Sequence, residues 1–347
     1  MKRSPFPVPF GWFCVGWSGD IAVGETKPLR YFGQHLVLWR DEEGTAHVQD
    51  AFCPHLGAHF GHGGKVLGCE LACPFHGWRF DEEGNNTLIP YSERTNAKGK
   101  LKTFPTVERN GLIFAWYHPE RIEPQWEIPL VPEFNDPENF TEPIHRIYHV
   151  NAPWQELAEN GVDAAHFRYV HNTEQVPELI EYTADTHIAN MKSRQFFPTP
   201  RGVVEGYINS DSFGPGLSVV HFGGIVDTIL MGTNIPIDSE TCEMRFTFTV
   251  RKLGDDAAFN STVGEAFVNE VDRQVREDKP IWENKAYLPR PALADTDGPF
   301  GKFRRWASQF YAEGVEVDQE FYPPADSYPA EDLGLSASQK YGSKPIA

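Results

Sequence analysis

Two short stretches of the chain pair a cysteine with a histidine. Residues 51–80 read AFCPHLGAHFGHGGKVLGCELACPFHGWRF, which gives Cys53 with His55 and Cys73 with His76. Pro54 and Gly57 occupy the first loop as Pro74 and Gly77 occupy the second. Proline fixes the backbone beside a ligand, and glycine permits the tight turn that closes a loop over a site. Two thiolates and two imidazoles suit either a single tetrahedral zinc or a two-iron cluster, with the cysteines on one iron and the histidines on the other. A zinc finger usually takes both cysteines from one loop and both histidines from the other. Here each loop gives one of each, which favours a cluster bridging the loops. Cys69, between them, reads as a buried structural thiol, and His59 and His62 read as loop or supporting residues.

A second group lies in residues 159–172, ENGVDAAHFRYVHN. Glu159, Asp163 and His166 fall at i, i+4 and i+7 and predict one helical stripe. His171 lies ~140° further round an ideal helix. Both imidazoles therefore reach one metal only if the helix ends or widens near Tyr169 to His171, and Asn172 and Thr173 are compatible with such an ending. A third ligand would be a distant carboxylate. Glu265, Glu270, Asp272, Glu277 and Asp278 share one segment, and spacing alone does not choose among them. Asp278 shares a stripe with Phe267, Val271, Val275 and Trp282 and so faces inward, where a metal would offset its desolvation.

These residues need elements to hold them. Short apolar runs and turn signals from about 11 to 120 predict a small all-β domain; examples are Leu36 to Trp39 before Asp41 to Gly44, and Gly111 to Tyr117 after Glu108 to Asn110. A Pro-rich stretch, Pro119 to Pro143, reads as a linker. Trp154, Leu157, Ala158, Gly161, Val162 and Ala165 recur at helical spacing. Strands return from roughly 190 to 252. In the last of them, Cys242, Met244, Phe246, Phe248 and Val250 alternate with Glu243, Arg245, Thr247, Thr249 and Arg251, predicting one buried face. The expected fold is α+β: an N-terminal all-β domain, then a catalytic domain with an antiparallel sheet flanked by helices. The expected boundaries are 1–120, a linker 121–143, a catalytic domain 144–325 and a polar tail 326–347.

Composition limits the function. The 347 residues are 40% hydrophobic and 13% aromatic, enough for a large core and an apolar pocket. A net charge of −18 argues against binding a phosphate backbone. No apolar run of ~20 residues predicts a membrane span. The N-terminus starts basic and turns apolar, but Pro5, Pro7 and Pro9 break any signal-like helix, so the chain is expected to be cytoplasmic. Five cysteines, sparse and odd in number, do not form a disulfide framework.

The motif C-P-H-x-G followed by C-P-F-H-G-W closely resembles the Rieske signature. The resemblance implies a [2Fe–2S] cluster held by Cys53, His55, Cys73 and His76. Rieske oxygenases carry the D-x-x-H-x-x-x-x-H pattern in their catalytic domain, so His166 and His171 resemble two arms of a 2-His-1-carboxylate Fe(II) site. Asp163 resembles the acid that bridges to a cluster histidine of a neighbouring subunit for electron transfer. Asp278-Lys-Pro-Ile-Trp282, Asp297-Gly-Pro and Phe303-Arg-Arg-Trp306 to Phe310-Tyr311 are similar to the C-terminal half of the oxygenase components of 3-ketosteroid 9α-hydroxylases, which makes Asp278 the third iron ligand. Pro280 departs from that pattern and predicts a kink just after Asp278.

The resemblance implies a terminal oxygenase that uses O2 to hydroxylate a hydrophobic, steroid-like, multi-ring substrate. It also implies a homotrimer. The alternatives are a Rieske O- or N-demethylase, an aromatic-ring hydroxylating oxygenase or, further off, a Rieske electron carrier. No G-x-G-x-x-G follows a strand, so electrons are expected from a separate NAD(P)H-dependent reductase or ferredoxin. Lys65, Arg79, Arg94, Lys98, Lys100 and Lys102 make the cluster region less acidic than the rest and suit an acidic donor.

Overall fold

Short strands joined by turns fill residues 11–127, as the turn residues there predict. The structure, a computed structural model, describes residues 5–199, 202–224 and 226–312. It divides into two compact units: residues 11–127 form one, and residues 5–10 with 128–312 form the other. The predicted tail 326–347 lies outside the described residues.

The first unit contains three antiparallel sheets. One has the order β1 (Gly11–Trp17), β11 (Leu112–Tyr117), β10 (Thr106–Arg109). The second runs β2 (Thr26–Tyr31), β3 (Gln34–Arg40), β4 (Ala46–Asp50), β9 (Thr103–Phe104). The third runs β5 (Lys65–Leu67), β6 (Glu70–Ala72), β7 (Arg79–Phe80), β8 (Asn86–Leu88). Asn110 and Gly111 both take positive φ, the two-residue turn that matches strand twist and joins β10 to β11. Trp39, Phe60, Leu71 and Phe80 are fully buried, and Cys53 and Cys73 belong to the same core cluster. Cys69 is not buried as predicted: it is partly exposed in the two-residue β5–β6 turn, outside the core cluster that holds Cys53 and Cys73.

The second unit is built on a seven-stranded antiparallel sheet. Its strands are β12 (Ile144–Val150), β13 (Glu178–Asp185), β14 (Ile188–Thr199), β15 (Gly202–Phe213), β16 (Ser218–Gly223), β17 (Thr228–Pro236) and β18 (Cys242–Val250). Their order is β12-β18-β17-β16-β15-β14-β13. Alternation predicts one buried face for β18, yet Glu243, Arg245, Thr247 and Thr249 are buried too. They are paired rather than solvated: Arg245 Nε donates to Glu243 at 2.7 Å, and Thr249 Oγ1 donates to the Thr141 carbonyl at 2.8 Å. Ile128, Val131 and Phe140 of the Pro-rich stretch are buried in this unit. So is Phe6, whose ring stacks on Tyr311 at 5.1 Å.

Four helices complete the unit: α1 (Trp154–Glu159), α2 (Ala165–Tyr169), α3 (Ala257–Trp282) and α4 (Phe300–Ser308). The predicted stripe of Glu159, Asp163 and His166 does not lie on one helix. Asn160 and Gly161 are weak helix formers, Asn160–Val162 make a single 3-10 turn, and Asp163 is extended (φ −92°, ψ 98°). The side chain of Asp256 caps α3, accepting from Ala258 N and Phe259 N. Val268 of α3 packs on Leu230 and Phe248 of the sheet. Helix α3 runs on through Pro280 to Trp282, so the proline, whose missing N–H costs one hydrogen bond, lies in its last turn.

Candidate metal centres

The two Cys-His loops fold alike. In the first, Cys53 N donates to Ala58 O and Gly57 N to Cys53 O, both at 2.9 Å; in the second, Cys73 N donates to Trp78 O at 2.8 Å and Gly77 N to Cys73 O at 3.1 Å. Gly57 and Gly77 take φ of +78° and +69°, which residues with a Cβ rarely adopt. The His55 and His76 rings lie 4.8 Å apart, and His55 stacks on Trp78, whose Nε1 donates to Tyr91 Oη at 2.8 Å.

Cys53 and Cys73 are buried side by side. Burial, reinforced by the neighbouring Cys73 thiol, pushes Cys53 up to about 12. His55 Nδ1 and His76 Nδ1 are buried with no hydrogen-bond partner. Two buried thiols and two orphaned ring nitrogens are a donor set that a bound metal group would satisfy. His59 takes no part in this set: its Nδ1 accepts from Gly61 N.

In the other unit, His166, His171 and Asp278 converge, with one ligand atom from each lying within 4.8 Å of the others. The sequence singled out these three, and the fold brings them together through the predicted helix ending. Helix α2 stops at Tyr169, Asn172 turns back with φ +57°, and the two imidazoles lie 5.1 Å apart. Asp278 comes from the buried stripe of α3, its Oδ1 3.3 Å from His171 Nε2.

Each imidazole is held by its other nitrogen. His166 Nδ1 lies 2.5 Å from the Asp163 carbonyl, while the Asp163 carboxylate accepts from His166 N at 3.2 Å. His171 Nδ1 lies 3.0 Å from Glu277 Oε2. Arg273 in turn pairs with Glu277 and binds both oxygens of Glu270. Nε2 of each ring is the nitrogen available to a metal, that of His166 lying 3.4 Å from Asn160 Nδ2, the usual arrangement in which a second hydrogen bond fixes tautomer and orientation. Burial lowers the His166 pKa. Burial also opposes charge on His171, but bonds to Asp278 and Glu277 outweigh it and raise that pKa.

Three supports escaped the sequence reading. Glu277 appeared there only as one of five candidate acids, although it adjoins Asp278. Gly298 packs so closely that an added Cβ would lie 1.8 Å from the Val162 carbonyl oxygen, immediately before Asp163. Arg304 grips both oxygens of Glu159, at 2.6 and 2.9 Å, and donates to the Leu288 carbonyl. The Asp297-Gly-Pro and Phe303-Arg-Arg-Trp306 motifs thus carry parts of the scaffold behind the histidines.

A cavity of about 250 Å³ has the triad in its wall. Phe167, Leu230, Phe246, Val271 and Trp282 contribute to an otherwise mostly apolar lining.

Residues 11–105 match the family described as Rieske [2Fe–2S] domain, and residues 115–311 match that described as 3-ketosteroid 9alpha-hydroxylase C-terminal domain. The chain belongs to the Rieske oxygenases that carry this C-terminal domain. It is 32% identical to a 3-ketosteroid-9-alpha-monooxygenase oxygenase component of Rhodococcus rhodochrous, over 88% of this chain and 85% of that one. It is also 32% identical to the cholesterol 7-desaturase of Caenorhabditis elegans, over 88% of this chain and 77% of that one. The crystal structure of dicamba monooxygenase bound to dicamba shares the fold, with a TM-score of 0.71 and 20% identity over 86% of this chain and 96% of that one. As a Rieske oxygenase the protein is an oxidoreductase, with a Rieske [2Fe–2S] cluster and a mononuclear non-haem iron as cofactors. Among the described residues no helix is long and apolar enough to cross a membrane.

Proposed function

We propose that the chain is the terminal component of a monooxygenase that hydroxylates a hydrophobic, steroid-like, multi-ring substrate. The observation that carries this reading is the largely apolar cavity with His166, His171 and Asp278 in its wall. The steroid-named relatives support the substrate class. Cys53, Cys73, His55 Nδ1 and His76 Nδ1 would hold the cluster, and His166 Nε2, His171 Nε2 and Asp278 Oδ1 the iron. When bound, the cluster supplies electrons and the mononuclear iron supplies activation of O2.

The protein's own residues do the positioning. The Asp163 carbonyl and the Glu277 carboxylate keep both imidazoles turned with Nε2 toward Asp278. Phe167, Val271 and Trp282 exclude water and hold an apolar ring system against the triad. The Asp163 carboxylate is one-third exposed, and with Oδ1 bonded to His166 N its other oxygen would reach a cluster histidine of a neighbouring subunit in a head-to-tail homotrimer. Leu56 and Phe75, beside the cluster histidines, are more than half exposed and form an apolar rim suited to contact with another protein. Electrons would come from a separate NAD(P)H-dependent reductase or ferredoxin, whose acidic surface Lys98 and Lys100 suit.

The test is a single turnover: iron-replete, chemically reduced protein, a 4-ene-3-ketosteroid, then O2, with the product weighed by mass spectrometry. Gain of one oxygen atom is the expected result. Loss of two hydrogens instead would make the enzyme a desaturase. An unchanged steroid would remove the substrate class, and formaldehyde release from a methylated aromatic would then point to demethylation.

A further inference from the structure

The cavity beside the triad adjoins a smaller chamber of about 80 Å³. Met191, Ser210, Ser218 and Asn234 line both, but none of His166, His171 and Asp278 lines the smaller one. Ala158 and Gly161 also line both, so the chamber opens off the cavity beside the triad without being walled by its three side chains.

Its lining residues include three with a buried polar atom that has no hydrogen-bond partner: the Tyr182 hydroxyl, Trp306 Nε1 and Asn234 Oδ1. Tyr182 is 4% and Trp306 6% exposed. Buried polar groups are nearly always paired, so three orphans around one small chamber mark a place built to receive a partner. The neighbouring serines do not share the deficit, since Ser212 and Ser218 bond each other at 2.9 Å.

The chemistry of the orphans selects the partner. An indole N–H can only donate, and a phenol can donate. Burial raises the Tyr182 pKa and so keeps its proton in place. The missing group must accept from the indole N–H, while Asn234 Oδ1 calls for a donor, so a hydroxyl meets all three orphans and a ketone only the indole and the phenol. No charged side chain lines the chamber, so an anionic carboxylate would be buried without a counter-charge, whereas a neutral oxygen would not. The chamber is about a third the volume of the cavity it adjoins, room for a polar group and not for a multi-ring body.

We propose that this chamber is the recognition subsite for an uncharged oxygen of the substrate, a hydroxyl or a ketone, away from the carbon that is oxidised. Tyr182 and Trp306 donate to it. This rests on the multi-ring substrate reading and specifies a polar group by which the molecule is held.

The experiment uses the loaded holoenzyme and two steroids that differ only in the ring-A ketone, present in one and replaced by CH2 in the other. Binding is followed by equilibrium dialysis in the wild type, Tyr182→Phe and Trp306→Phe. A site built to bond an oxygen discriminates strongly against the analogue without it. The wild type is expected to favour the ketone by about tenfold or more. Tyr182→Phe is expected to erase most of that preference while leaving the deoxy steroid's affinity unchanged, and Trp306→Phe to erase part of it. Equal binding of both steroids by the wild type, as when ordered water simply fills the chamber, overturns the subsite but not the steroid reading, and needs no variant to fold. A preference retained in both variants also overturns the subsite, since the oxygen is then held elsewhere. If neither steroid binds the wild type, the steroid reading fails and the subsite falls with it.

Discussion

In the β-rich unit all four candidate ligands lie between positions 53 and 76, on two loops with the same hydrogen-bond pattern and the same positive-φ glycine. In the other unit, two histidines from a short helix and its exit meet an aspartate from a helix far along the chain. The first arrangement is fixed by turns that lie next to the ligands. The second depends on packing between segments that are remote in sequence, and every remote contact is a place where it can be loosened. A local centre is thus sensitive to its ligands, and an assembled one to its supports as well.

The largest effect is expected from removing ligands. Cys73→Ser is expected to abolish the visible absorption of the cluster and about two of the three irons per chain, leaving iron at the triad. His166→Ala is expected to do the reverse. Metal analysis of both variants checks this, and loss of all iron from either would mean that the two centres are not separately held.

Next comes Gly298→Ala. The new methyl would meet the Val162 carbonyl oxygen at 1.8 Å, so backbone must move beside Asp163 and His166. Overpacking of this kind costs about 1–3 kcal/mol, and the triad is expected to lose iron before the cluster does. Gly19→Ala, with nothing within 4 Å of its Cβ, is the matched control. Equal melting temperatures and iron contents in the two variants would show that the support is dispensable.

The smallest effect is Glu277→Gln. The amide keeps the shape but weakens the bond to His171 Nδ1 and the pairing with Arg273. Iron affinity at the triad, measured by chelator competition, is expected to fall about 10–100-fold with the cluster spectrum unchanged. An unaltered affinity would mean that His171 is oriented without this carboxylate.

The sequence was most legible where structure is local. The loops around Cys53 and Cys73 repeat their own pattern, and the exit from α2 follows from the angle between His166 and His171. Asp278 could be separated from four neighbouring acids because it shares an apolar stripe. What stayed hidden depends on distant atoms. Asn160 and Gly161 are weak helix formers, a local sign that the stripe outweighed, but nothing in residues 159–166 says that Glu159 turns to Arg304. Alternation in β18 gave the strand but not its second buried face: Glu243 and Arg245 pair with each other along the strand, whereas Thr247 and Thr249 find partners more than a hundred residues away in His145 and Thr141. The spacing that singles out Cys69 carries no information on its exposure in a hairpin turn.

Arg304 bears on which sequences this fold can tolerate. Its guanidinium grips both oxygens of a buried Glu159, reaches the Leu288 carbonyl and lies 4.5 Å above the Tyr287 ring. A lysine there keeps the charge but has no planar fork, so it can satisfy only part of that set. Losing either partner outright leaves a buried charge alone, a loss of about 3–5 kcal/mol. Across a lineage, positions 159 and 304 can drift only as a pair, and a homologue lacking the arginine is expected to lack the glutamate as well.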